Sequence, residues 1–135
     1  MPFVVDASVA SCWCFPDENS AAAADTAMDR LLHDEVISPG LRILEITNIL
    51  IIGERRGRIS HEETDAFLGD LAQLLIRICR DADDRVLLAL ARKHQLTTYD
   101  ASCVELAVRT GAAVATLDGR LAGAARAEDL EIVGE

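Results

Sequence analysis

Apolar positions along the chain follow two rhythms, short unbroken runs and longer stretches of helical spacing. Phe3-Val4-Val5 stops at Asp6 and passes directly into Ala7-Ser8-Val9-Ala10-Ser11-Cys12-Trp13, the pattern of a buried strand followed by a helix. Asn19-Ser20 can cap a helix from Ala21 to about Leu32, with Ala24, Met28 and Leu31 or Leu32 on one face. Val36-Ile37-Ser38 reads as a second strand, closed by Pro39-Gly40. From Leu41 to Glu54, Ile43, Leu44, Ile46, Ile49, Leu50, Ile51 and Ile52 cover more than one helical stripe, which predicts a helix covered on two sides, by its own chain or by a second subunit.

Ser60-His61-Glu62-Glu63 is a capping box that starts a helix carrying Phe67, Leu68, Leu71 and Leu74. Leu75-Ile76-Arg77-Ile78-Cys79 fits either a strand or the last turn of that helix. Helices are expected from Asp83 to His94 and from Asp100 to Arg109, the latter ended by Gly111. Ala112 to Leu117 reads as a strand that stops at Asp118, Gly119-Arg120-Leu121 opens a last helix, and Glu131-Ile132-Val133 follows. Strands alternating with helices predict an α/β domain with a mainly parallel sheet.

A chain of 135 residues, half of them hydrophobic, fits one domain spanning 1–135 with an ordinary core. Four scattered cysteines make no disulfide framework, so a reducing, cytoplasmic setting is expected. The N-terminus has no basic stretch followed by a long apolar one, and no window is apolar enough for a membrane span, so no membrane association is expected. The charge balance, 13 basic against 23 acidic residues, argues against a protein held to nucleic acid by a positive surface. It leaves room for a nucleic-acid enzyme, because bound divalent cations invert the field of an acidic site.

The carboxylates therefore need a reading. Ligands of an open parallel sheet bind outside the carboxyl ends of its strands, and Asp6 and Asp118 both end strands. Asp100 stands at a helix start, where it is either an N-cap or part of the same rim. Glu45 lies between Leu44 and Ile46 in the most apolar helix; it points to solvent, pairs with Arg42, or faces an acidic pocket together with Asn48. Oxygen ligands suit Mg2+ or Mn2+. Ions held by such acids can activate water and stabilise a phosphodiester's developing charge. His33, His61 and His94 fall in polar surroundings and are expected at the surface, and Cys12 and Cys14 read as small buried hydrophobes.

Taken in order, Val4-Val5-Asp6-Ala7-Ser8, Leu44-Glu45-Ile46-Thr47-Asn48-Ile49-Leu50, Leu96-Thr97-Thr98-Tyr99-Asp100-Ala101 and Ala115-Thr116-Leu117-Asp118-Gly119-Arg120-Leu121 resemble the four signature segments of PIN domains, specifically VapC-type ribonuclease toxins of toxin-antitoxin systems. The resemblance covers essentially the whole chain. It implies a PIN-like α/β/α sandwich around a five-stranded parallel sheet, a Mg2+- or Mn2+-dependent endoribonuclease, and a homodimer. It also implies a cognate VapB-like antitoxin whose tail occupies the acidic groove.

Carried over by motif, Asp6, Glu45, Asp100 and Asp118 are the acidic quartet, with Asp6, Asp100 and Asp118 as metal ligands and Glu45 acting through water. Ser8, Asn48 and Thr116 are the supporting polar residues. The implied reaction is in-line attack on an RNA phosphate by metal-activated water, with no side-chain nucleophile. Arg42 and Thr47 depart from the usual pattern, which often has an aromatic and a small apolar residue there. Arg55, Arg56 and Arg58 read either as RNA contacts or as a solvated helix end.

Other folds with strand-end acids fit poorly. A phosphoacceptor receiver needs an acidic pair at the first strand and a lysine after the last, whereas Ala7 follows Asp6 and the sole lysine is Lys93. A haloacid-dehalogenase-like phosphatase needs an aspartate at position 8, which is Ser8. The remaining alternative is a catalytically silent PIN-fold module that acts through a protein partner.

Overall fold

The computed structural model describes residues 2–15, 22–31 and 33–135. Four strands, β1 (Phe3–Val5), β2 (Val36–Pro39), β3 (Arg77–Cys79) and β4 (Ala113–Ala115), pair in the order β3-β2-β1-β4, every pair parallel. The strands are short, and β1, β2 and β4 are wholly buried, as expected of a parallel sheet covered on both faces. The ambiguous stretch after Leu74 is strand, not helix: Leu75 turns through φ +56° and Arg77–Cys79 pairs with β2.

Seven helices are described: α1 (Ala7–Cys14), α2 (Ala22–Arg30), α3 (Arg42–Arg55), α4 (His61–Gln73), α5 (Asp84–His94), α6 (Thr98–Thr110) and α7 (Gly119–Ala127). Alternation along the strands divides the core. Val4, Ile37 and Val114 face α6 and α7, packing on Val104, Leu106, Leu121 and Ala125. Phe3, Val5, Val36, Ala113 and Ala115 face the other way, toward Val9 and Cys12 of α1 and Ala24 and Ala27 of α2. A third cluster joins α1, α3 and α4 through Ala10, Phe15, Ile46, Leu50 and Ile59, with Phe67, Leu68 and Leu71 of α4 packed against them.

The α/β/α sandwich is as expected, with differences in detail. Among the described residues the sheet has four strands; in the expected fifth position only Ile132 bridges, parallel, to Val114. The chain reaches it through a positive-φ turn at Asp129, and a single residue runs alongside β4 before the turn that follows. Met28 is 42% exposed, and the buried face of α2 is Ala24 and Ala27 instead. The capping residues expected at Asn19-Ser20, and Leu32, lie outside the described residues.

Of two helix starts, one is as expected and one differs. The capping box of Ser60 and Glu63 forms as read. The cap of α6, however, is Thr97, whose hydroxyl accepts from the Asp100 amide at 3.2 Å. Asp100 is thereby released from capping and sits in the first turn. His94 is not at the surface: its side chain is 10% exposed and its Nε2 lies 2.9 Å from Glu128 Oε2 at the end of α7. His33 and His61 are exposed as expected.

Candidate active site

The chain runs from β1 outward through β2 to β3 and then returns to the opposite side of β1 with β4. The crevice between the carboxyl ends of β1 and β4 is the point where the winding reverses, the usual ligand position of an open parallel sheet. Each acid of the predicted quartet stands at a helix N-terminus on this rim. Asp6 precedes α1, Glu45 and Asp100 lie in the first turns of α3 and α6, and Asp118 caps α7 through the amides of Arg120 and Leu121. Helix starts carry partial positive charge and lower the cost of gathering carboxylates.

Asp6 is buried at 4% exposure, and its side chain makes no cap bond to α1. Its Oδ2 accepts from Ser8 Oγ at 2.7 Å and from Thr116 Oγ1 at 2.8 Å. The two hydroxyls are tied into the strand-end turn, since Ser8 Oγ accepts from the Leu117 amide and Thr116 Oγ1 from the Asp118 amide. The other oxygen, Oδ1, accepts from Arg42 Nη1 at 2.9 Å. The same Nη1 donates to Glu45 Oε2 at 2.6 Å, while Nη2 donates to the Tyr99 carbonyl and to Cys103 Sγ.

Of the readings open for Glu45, pairing with Arg42 is the one adopted, and the arginine carries the pair inward instead of to solvent. Arg42 is 1% exposed and heads the large fully buried side chains. Burial opposes its charge, yet the carboxylates of Asp6, Glu45 and Asp100 raise its pKa and keep it a cation. Sequence reasoning treated Arg42 as a departure and did not single out Cys103 or the Tyr99 carbonyl. The available signal was spacing: Asp100 and Cys103, three apart on α6, share a face.

The acids feel one another. Burial pushes the Asp100 carboxyl above the ordinary range, and the charges of Asp6 and Asp118 push it further. Burial also raises Glu45; Arg42 opposes this, and Asp6 and Asp100 add to it. Glu45 Oε1 is buried with no hydrogen-bond partner. Crowded carboxylates, a buried unpartnered oxygen and an all-oxygen donor set are what a hard divalent cation relieves. Among the described residues no three His, Cys, Asp or Glu side chains form a ready-made metal cage. Mg2+ does not require one, since it is usually bound by one or two carboxylates and keeps several waters.

Not every predicted residue joins this cluster. Asn48 is exposed and lines a shallow cleft with Leu41, Leu44, Glu45 and Tyr99, beside the acids. Arg55, Arg56 and Arg58 lie at and beyond the other end of α3, about 15 Å along the axis from Glu45 by the helical rise. Arg58 stacks over the Phe15 ring at 4.3 Å. Cys12 is buried and Cys14 half-buried, in line with their reading as small core residues.

The doubly covered parallel sheet with strand-end carboxylates at its winding switch is that of a PIN domain, and the chain belongs to this family, whose description matches residues 3–127. Within it the chain is similar to a protein named Ribonuclease VapC3 of Pyrobaculum aerophilum, 34% identical over 125 residues that cover 90% of this chain and 93% of the relative. Two solved structures share the fold. PAE2754 from Pyrobaculum aerophilum superposes with a TM-score of 0.75 at 23% identity, over 98% of this chain and 84% of its own. The Mycobacterium tuberculosis toxin VapC20, described as cleaving the sarcin-ricin loop, gives 0.57 at 15% identity, over 90% of this chain and 94% of its own.

Proposed function

We propose that this chain is a Mg2+- or Mn2+-dependent endoribonuclease of VapC type, the toxin of a VapBC-type toxin-antitoxin module acting in the cytoplasm. The observation that carries the reading is the gathering of Asp6, Asp100 and Asp118 at the β1–β4 switch, close enough that Asp6 and Asp118 raise the Asp100 carboxyl, with Glu45 tied to Asp6 through Arg42. The VapC-type relatives support the same substrate class, RNA. The single PIN domain would span 1–135.

In this reading Asp6, Asp100 and Asp118 hold the divalent ion, with Glu45 alongside. When bound, the ion supplies water activation and charge stabilisation at the scissile phosphate. The chain's own contribution is orientation. Ser8 and Thr116 fix the Asp6 carboxylate from one side and Arg42 from the other, so it presents its one remaining lone pair, on Oδ1, in a set direction. Asp118 is fixed by the amides of Arg120 and Leu121, the second and third residues of α7. No side-chain nucleophile is required: burial pushes the Cys103 thiol far up, so it stays neutral and inert.

Partners follow from what the surface offers. Ile43, Leu44, Ile51 and Ile52 of α3 are 37–66% exposed, an apolar stripe consistent with a homodimer built on the region from Leu41 to Phe67. The cleft lined by Glu45, Asn48 and Tyr99 suits a basic side chain from a VapB-like antitoxin. Arg55, Arg56 and Arg58 would touch RNA beyond the cleaved phosphate. No described helix is long and apolar enough to cross a membrane.

The test is cleavage of total RNA by the purified chain with Mn2+, free of antitoxin, with Asp100→Asn as control. Cleavage by the wild type alone supports the enzyme. RNA left intact by both proteins favours the silent binding module instead.

A further inference from the structure

Arg42 is the unusual member of this site. A guanidinium that is 1% exposed sits between two of the four acids, bonded through one nitrogen to Asp6 at 2.9 Å and to Glu45 at 2.6 Å. Its second terminal nitrogen is anchored on the Tyr99 carbonyl and Cys103 Sγ, which ties α3 to the first turns of α6. The fork is thus held at both terminal nitrogens inside the protein, while Nε is buried without a hydrogen-bond partner. Burying such a cation costs several kcal/mol unless it meets opposite charge, and here the opposite charge is the Asp6–Glu45 pair.

Asp100 and Asp118, by contrast, have no ion pair to a basic side chain among the described contacts. The quartet is therefore divided. One half is in direct contact with a positive charge, and the other feels Arg42 only through space, at Asp100.

We propose that Arg42 is a resident counter-cation for the Asp6–Glu45 half of the site, so that the protein takes a single divalent ion, on the Asp6–Asp100–Asp118 side, and not two. Arg42 is a positioning residue: it acts on the ion and substrate through the carboxylates it holds. This rests on the metal-dependent reading above and adds the stoichiometry and the residue that sets it. A guanidinium and a second divalent ion cannot share the space between Asp6 and Glu45, since the arginine already takes Asp6 Oδ1 and Glu45 Oε2.

The experiment is a Mn2+ titration of the full chain, followed by electron paramagnetic resonance of the free ion and by isothermal calorimetry. The proteins are wild type, Arg42→Met and Arg42→Lys. The wild type is expected to bind one equivalent. Arg42→Met, which keeps the length and removes the charge, binds a second, and its melting temperature rises more with Mn2+ than that of the wild type. Arg42→Lys keeps one. If Arg42→Met fails to fold without metal, the double variant Arg42→Met/Glu45→Gln removes one of the two charges that the arginine offsets, and it returns to one equivalent.

Two equivalents in the wild type, or one in Arg42→Met, overturn the inference while leaving a metal-dependent nuclease standing. No Mn2+ bound by any of these proteins overturns the nuclease reading as well.

Discussion

Thr116 Oγ1 donates to Asp6 Oδ2 at 2.8 Å across 110 residues of sequence, locking the end of β4 to the end of β1 where the sheet's winding reverses. The same hydroxyl accepts from the Asp118 amide, so one small side chain sets the relation between two of the site's aspartates.

Replacing that hydroxyl by a methyl in Thr116→Val leaves the volume nearly unchanged and takes a donor from a buried carboxylate. A loss of about 1–3 kcal/mol is expected in urea denaturation, with a larger fall in RNA cleavage than in Thr116→Ser, which retains the bond. Equal activity in the two variants would show that this bond does not orient Asp6.

Asp100 is predicted to trade stability for chemistry. Burial and the charges of Asp6 and Asp118 raise its pKa. A carboxyl raised on folding contributes stability that is fully present below its unfolded pKa and lost as the pH rises through its folded pKa. Asp100→Asn should therefore abolish cleavage yet melt a few degrees above the wild type at neutral pH in EDTA. The gap should close as the pH falls toward roughly 4, the ordinary aspartate value. A variant that melts lower at neutral pH in EDTA would contradict the assigned strain.

Gly53 tests the packing of α3 on α1. A Cβ there would lie 2.7 Å from Phe15 Cζ and 3.2 Å from Ile59 Cγ2. In an open helix interior Gly→Ala gains about 1 kcal/mol, whereas overpacking a filled core costs about 1–3 kcal/mol. Gly53→Ala is expected to unfold at lower urea concentration than the wild type. An increase would mean that Phe15 moves aside freely.

The exposed stripe of α3 predicts self-association. Ile52 is 37% exposed and lies well along the helix from Glu45. Sedimentation velocity at micromolar concentration is expected to show a dimer for the wild type and a monomer for Ile52→Glu, with melting temperature little changed. A monomeric wild type would remove the homodimer from the proposal.

How far the sequence could be read varies from residue to residue. Asp6 and Asp118 were legible because a short apolar run that stops at an acid marks a strand end, and parallel strands place their ends on one rim. The Ser60 box was legible because its partners are three residues apart. Asp100 was half legible: its place at a helix start was readable, but Thr97 three residues earlier does the capping. His94 was misread because its polar sequence neighbours say nothing about Glu128, which reaches it from α7.

By itself the sequence determined the order of strands and helices except at β3, the strand ends at Asp6 and Asp118 and the helix start at Asp100, because each depends on residues within one or two turns of each other. Only the tertiary structure decided what balances the charges. Arg42 meets Asp6 across 36 residues and Cys103 across 61, through the packing of α3 against the starts of α1 and α6. No local pattern distinguishes an arginine that faces water from one sealed among carboxylates. That choice is made by the low-dielectric surroundings that close over it once the helices dock.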